Sequence, residues 1–134
     1  MSFCTTRRVE FSHCDPAGIV FYPRYFEMLN SVVEELFSRH VGKDFAQMHL
    51  VEGYGVPTVH LDVDFTRPGR LGDELNFELT VQRVGRSSAD LRVSAATDGA
   101  ERLVIKQTIV WMELSAGKSA PWPTDVAAKL KELI

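Results

Sequence analysis

The chain has 134 residues, 45% hydrophobic and 25% charged, which suits one globular domain, residues 1–134, able to bury its own core. Its net charge of −3 sets up no positive field, so attraction to nucleic acid or to an anionic membrane surface is not expected. The longest apolar run, Ala17 to Tyr22, is too short for a bilayer, the N-terminus lacks a secretory layout, and Cys4 and Cys14 are too few for a disulfide framework; a cytoplasmic protein is expected.

Residues Thr5 to Phe11 alternate in part and predict a first strand. Beyond "HCDPAG", a spacing of about 100° per residue places Tyr22, Tyr25, Phe26, Leu29, Val32, Val33, Leu36 and Phe37 on one arc. This predicts an amphipathic helix with Pro23 in its first turn and Gly42 past its end. Residues 40 to 55 read as a loop with one short helical piece. In the next segment Val59, Leu61, Val63 and Phe65 alternate with His60, Asp62, Asp64 and Thr66, the period of a strand with one face buried and one wet. "RPGRLGD" then turns the chain. Strands follow around Leu75–Val81, Ala89–Ala95 and Leu103–Met112, with Gly85 and Asp98-Gly99 as hairpin turns. The tail, after Pro121 and Pro123, resumes helical spacing at Val126, Leu130 and Leu133, with Thr124 as its N-cap. One apolar helix followed by antiparallel strands gives an α+β class, most simply a curved sheet wrapped around the helix. An open sheet leaves edge strands, for which self-association is a common remedy.

The chemistry concentrates at His13-Cys14-Asp15. A Cys14 nucleophile is poorly served, because His13 is its immediate neighbour and points to the opposite face of an extended chain. Cys14 reads instead as a small apolar residue. A metal site fares no better: His13 and Asp15 are too few ligands, and the row His60, Asp62, Asp64 reads as a solvated sheet face. Asp15 remains. It stands just before the helix, and Gly18 in the intervening turn lets a ligand approach the backbone. First-turn amides of a helix have no internal partner and carry the positive end of its dipole, which suits an oxyanion. A carboxylate beside such amides fits acyl transfer, with the carboxylate attacking a carbonyl or activating water. The competing reading makes Asp15 only the start of an Asp-Pro turn.

"CDPAGIVFYPRYFE", the long helix, and "VDFTRPGRLGDELNFEL" followed by further strands resemble the hotdog-fold acyl-CoA thioesterases, in particular the 4-hydroxybenzoyl-CoA thioesterase branch. The resemblance spans nearly the whole chain. It implies a curved antiparallel sheet around one long central helix, an acyl-CoA substrate, no cofactor or metal, and a homodimer or homotetramer with its active site between subunits. It assigns Asp15 as nucleophile or general base and the backbone amide of Tyr22 as the oxyanion donor. Val56, Pro57 and Thr58 resemble the segment lining the acyl and pantetheine channel. Arg83, Arg86 and Ser88 occupy the turn where the family keeps a basic cluster for the nucleotide, although "QRVGRSSADL" is less basic than usual. Asn30, at the margin of the apolar arc, either bonds a ring substituent or faces a partner subunit. Phe21, Tyr22, Tyr25 and Phe26 either flank an aromatic acyl group or belong to the core.

Three alternatives stand beside this reading. One is the short-chain acyl-CoA thioesterase associated with the Tol-Pal system, which usually carries histidine after the tyrosine, where this chain has Pro23. The second is a hotdog dehydratase with His13 or His60 as base. The third is a non-catalytic acyl-CoA-binding protein.

Overall fold

The computed structural model describes residues 1–134. In chain order it contains β1 (Phe3–Arg8), a 3₁₀ turn (Phe11–His13), α1 (Pro23–Leu36), π-helical turns (Phe37–Val41 and Gln47–Glu52), β2 (Tyr54–Gly55), β3 (Thr58–Phe65), β4 (Glu74–Val84), β5 (Ser88–Thr97), β6 (Ala100–Val110), β7 (Met112–Glu113), β8 (Lys118–Ser119) and α2 (Thr124–Lys131). The main sheet has the order β1-β4-β5-β6-β3, every pair antiparallel, and β2-β7-β8 form a small second sheet. No helix is long and apolar enough to cross a membrane.

The period-2 rows explain the core. Leu75, Phe77, Leu79 and Val81 of β4, Ala89, Leu91, Val93 and Ala95 of β5, and Leu103, Ile105 and Ile109 of β6 are buried in one cluster with Tyr25, Met28, Leu29, Val32, Val33 and Leu36 of α1. Burying each large apolar side chain is worth roughly 1.5–3 kcal/mol, so the seam between α1 and the sheet is the main source of stability. This is the α+β arrangement expected, a curved antiparallel sheet against one long helix. Asp98 and Gly99 take φ of 52° and 75°, the left-handed pair that a tight β5–β6 hairpin requires. Along the rim, Glu35 of α1 receives hydrogen bonds from Thr5 and Arg7 of β1 and from Arg39. At the C-terminus, α2 packs against β4 and the Phe37–Val41 turn through Val126, Leu130 and the following Leu133.

Three local expectations are corrected. The first strand begins at Phe3 and stops at Arg8, because Glu10 and His13 exchange side-chain and backbone hydrogen bonds that close a 3₁₀ turn instead. "RPGRLGD" does not join neighbouring strands: β3 pairs with β6, and residues 66–73 cross the end of the sheet to reach β4. The crossing is held by backbone bonds from Val20 to Gly69 and from Leu71 to Gly18. Finally, the apolar face of β3 is not covered within the chain. Val59, Leu61 and Phe65 are 60%, 41% and 49% exposed, because β3 lies at the sheet edge.

Candidate active site

Residues 13–21 form a narrow antiparallel loop. Phe21 donates its amide to His13, Cys14 bridges Val20, and Asp15 donates to Ile19 at 3.1 Å. The loop is closed by Gly18, whose φ of 77° favours glycine and whose amide meets the Asp15 carbonyl at 2.9 Å. On the outside the crossing segment stitches this loop down through the Ile19–Arg70 bridge. The Asp15 carboxylate accepts the Ala17 amide on Oδ1 at 2.9 Å, and its other oxygen has no partner in the chain. It borders a depression of about 330 Å³ shared with Phe11, Cys14, Pro16, Gly18 and Leu71.

Tyr22 is the N-cap of α1, and Pro23 is the first helical residue. The carbonyl of Tyr22 accepts the Tyr25 amide at 3.1 Å, whereas its own N–H donates to nothing within the chain. Proline at the next position supplies no competing N–H, so the donor of Tyr22 stands alone at the positive end of a 14-residue helix. A second, more apolar cavity of about 290 Å³ opens there, lined by Ile19, Val20, Tyr22, Tyr25, Phe65 and residues 66–69. The Tyr22 ring meets Phe65 edge-on at 6.2 Å, and Phe65 lies 6.0 Å from Tyr25. Buried Tyr25 accepts the Gly69 amide on its hydroxyl at 3.1 Å; burial pushes its phenol up, and the Gly69 bond only partly offsets this. Asp15 borders one of these cavities and Tyr22 the other, and both are lined in part by residues of the 14–20 loop.

The other sequence-predicted residues sit elsewhere. Val56 is buried and Pro57 half-buried at the approach to β3, while Thr58 is exposed at its start. The Thr58 hydroxyl accepts the Gln107 amide at 2.8 Å. Arg83 and Ser88 come together in the β4–β5 turn, but Arg83 is already bonded to Asp90 at 2.9 Å and to Ser88 at 3.1 Å. The bond from Arg83 and one from Thr108 hold the Asp90 carboxyl below the usual range. Arg86 is exposed and enters no ion pair. Asn30 is exposed on α1 and reaches neither cavity. His13 accepts the Glu10 amide on Nδ1, and His60 pairs in register with Thr108 on the opposite face of the sheet; neither borders the two cavities. No three His, Cys, Asp or Glu side chains converge to hold a metal ion.

The candidates therefore fall at opposite ends of one sheet. Asp15, Gly18 and Tyr22 lie near the end of β3 and the start of β4; Val56, Pro57, Thr58, Arg83, Arg86 and Ser88 lie where β3 and β5 begin. At a rise of about 3.3 Å per residue the length of β3 separates them by roughly 23 Å. Within the chain, the structure does not unite the two groups. Sequence reasoning missed Phe65 and Gly69 as cavity walls. Phe65 carried a signal, since it ends an alternating row just before the glycine-containing crossing.

Residues 9–130 match the thioesterase-like superfamily. A 1,4-dihydroxy-2-naphthoyl-CoA hydrolase from Synechocystis is 30% identical over 126 residues, 91% of this chain and 89% of that protein. A 4-hydroxybenzoyl-CoA thioesterase from Pseudomonas is 30% identical over 103 residues, 75% of this chain and 73% of that one. The crystal structure of a 1,4-dihydroxy-2-naphthoyl-CoA thioesterase from Synechocystis shares the fold, with a TM-score of 0.88 at 21% identity over 99% of this chain and 98% of the other. By its sequence and its sheet-on-helix architecture, the chain belongs to the thioesterase-like hotdog superfamily.

Proposed function

We propose that this hotdog thioesterase hydrolyses the CoA thioester of an aromatic carboxylic acid, with Asp15 as nucleophile or general base and the Tyr22 amide as oxyanion donor. The observation that carries this is the unpartnered Tyr22 N–H at the head of α1, flanked by an aromatic-lined cavity. A donor aimed at the developing oxyanion is worth on the order of 3 kcal/mol. As nucleophile, the Asp15 carboxylate adds to the thioester carbon, the C–S bond breaks, the CoA thiolate takes a proton, and water cleaves the acyl anhydride. As base, it takes the proton of a water that attacks the same carbon, the C–S bond breaks, and the departing CoA thiolate takes up that proton. The Tyr22, Tyr25 and Phe65 rings suit a planar acyl group through edge and face contacts, and both relatives named above act on ring acyl-CoA esters. Free Arg86 is the candidate for a phosphate of the nucleotide.

The reading includes a homodimer. The edge strand β3 carries Val59, Leu61 and Phe65 uncovered together with unpaired backbone groups. Pairing it antiparallel with its own copy about a twofold axis near Leu61 and Asp62 brings residue 58 of each subunit opposite residue 65 of the other. That joins the Asp15–Tyr22 end of one chain to the Thr58–Arg86 end of its partner. A further pairing of dimers into a homotetramer is compatible with this arrangement.

Purified protein should release free thiol from benzoyl- or naphthoyl-type CoA esters faster than from short aliphatic ones. Asp15→Asn should lower turnover about 10²–10⁴-fold, the usual scale for loss of a general base. Turnover unchanged in Asp15→Asn would refute the assignment; a preference for short aliphatic esters would favour the Tol-Pal-type reading.

A further inference from the structure

One polar side chain is out of place in the core. Along β6, Leu103, Ile105, Gln107 and Ile109 point to the helix-facing side of the sheet, and all four are buried. Gln107 is only 3% exposed, between Leu61 of β3 and Leu91 of β5 in register. Its amide nitrogen donates to Thr58 Oγ1 at 2.8 Å, and its carbonyl oxygen is buried with no donor. A buried, half-satisfied amide is less stable than an aliphatic residue of the same size. The fold gains nothing evident from it.

Local backbone geometry points to its use. The β3–β6 register slips by one between Thr58 and His60, so Thr58 pairs with Ile109 and shares a face with Gln107. Without this bulge Thr58 would be opposite Val110, whose side chain points to the other face. Bulges that re-aim a single side chain are typical near functional sites. The re-aimed hydroxyl has one hydrogen and two lone pairs. Because the Gln107 amide fills one lone pair from the buried side, the hydrogen is left to point outward, where Thr58 is exposed.

We propose that Gln107 is a positioning residue: it holds Thr58 as an oriented hydroxyl donor for an acceptor oxygen of the thioester substrate bound at the partner subunit's Asp15–Tyr22 end. This rests on the composite-site reading above. It assigns a specificity role to a residue that touches no substrate, and it predicts a requirement for an acceptor at that point of the ligand.

The test measures binding of a thioether analogue of a benzoyl-CoA ester, in which a methylene separates carbonyl from sulfur so that no turnover occurs. Thr58→Val should weaken binding about tenfold, the scale of one lost hydrogen bond. Gln107→Leu should weaken it equally, and the double variant should bind no worse than either alone, since both remove one device. The Tm of Gln107→Leu should be unchanged or higher, because an unsatisfied amide has been replaced by a side chain of similar volume. Gln107→Met serves the same comparison should the leucine variant misfold. Wild-type affinity in either Gln107 variant, or losses that add, would overturn the proposal. Loss of binding that follows a lowered Tm would overturn it too, by making Gln107 purely structural. If Asp15→Asn abolishes hydrolysis while Gln107→Leu binds normally, the proposal fails and the function stands. If Asp15→Asn leaves hydrolysis intact, the catalytic reading fails and the binding data still decide the role of Gln107. A wild-type protein that does not bind the analogue overturns both.

Discussion

Gly69→Ala probes the link between the crossing segment and the head of α1. The backbone of Gly69 does not need glycine for its angles, but a Cβ there would collide with the Tyr25 hydroxyl and stand 3.0 Å from Val20 Cγ2. The same residue donates to Tyr25 and accepts the Val20 amide at 2.8 Å. Overpacking of this kind costs about 1–3 kcal/mol, and displacing the buried hydrogen bond adds about 1–3 kcal/mol, so Gly69→Ala should destabilise by roughly 2–6 kcal/mol. Tyr25→Phe alone strands the Gly69 amide and should cost about 1–3 kcal/mol. The double variant makes room for the methyl and loses the hydrogen bond only once, so it too should cost about 1–3 kcal/mol instead of the sum. A coupling of about 2 kcal/mol or more is expected from urea denaturation of the four chains. Turnover should fall further than stability in Gly69→Ala, because the displaced Val20 borders the Tyr22 cavity. Additive losses would show that Tyr25 and Gly69 do not press on each other and would refute the reasoning.

Two further outcomes follow from the rim and from the sheet edge. At Glu35 burial raises the carboxyl, but hydrogen bonds from Arg39, Arg7 and Thr5 outweigh it and hold it below the usual range. A carboxyl held low when folded adds stability that is complete above its unfolded pKa and fades as pH falls through the folded value. Glu35→Gln should therefore cost about 1 kcal/mol at pH 7, given that Arg39 is largely exposed, and the stabilities of the two chains should converge as pH falls through the lowered folded value; a constant difference would rule out the carboxylate. If β3 is the interface of the proposed dimer, Leu61→Glu should give a monomer by light scattering without lowering the Tm of the single chain, since Leu61 is already 41% exposed there; a dimer that survives the change would remove β3 as the interface.

Much of the fold was legible because periodicity reports burial directly. The arc from Tyr25 to Leu36, the alternating rows of β4 and β5 and the apolar run Leu103–Met112 identified the helix and three strands, and Asp98-Gly99 marked the β5–β6 hairpin. Non-local choices were not legible. "RPGRLGD" has the composition of a tight turn, and only the bonds from Val20 and Leu71 show that it crosses the sheet end. The alternating row of β3 reads as a face packed within the chain, yet Val59, Leu61 and Phe65 stand exposed at the sheet edge. The π-helical turns at Phe37–Val41 and Gln47–Glu52 have no residue signature comparable to an N-cap or a glycine. At the candidate site, the position of Asp15 and Gly18 ahead of the helix headed by Tyr22 was legible, whereas the separate cavities that Asp15 and Tyr22 border were not. Gln107 was not, because a single polar residue in an apolar row acquires meaning only when the bulge sets Thr58 beside it.

The composite site can be tested by subunit mixing. Asp15→Asn damages one end of each chain and Thr58→Arg blocks the other, so homodimers of either should be inactive. Random pairing of the two makes about half the dimers mixed, each with one intact site, and should restore about a quarter of wild-type turnover. Mixed dimers demonstrated in solution but as inactive as their parents would contradict a site shared between subunits.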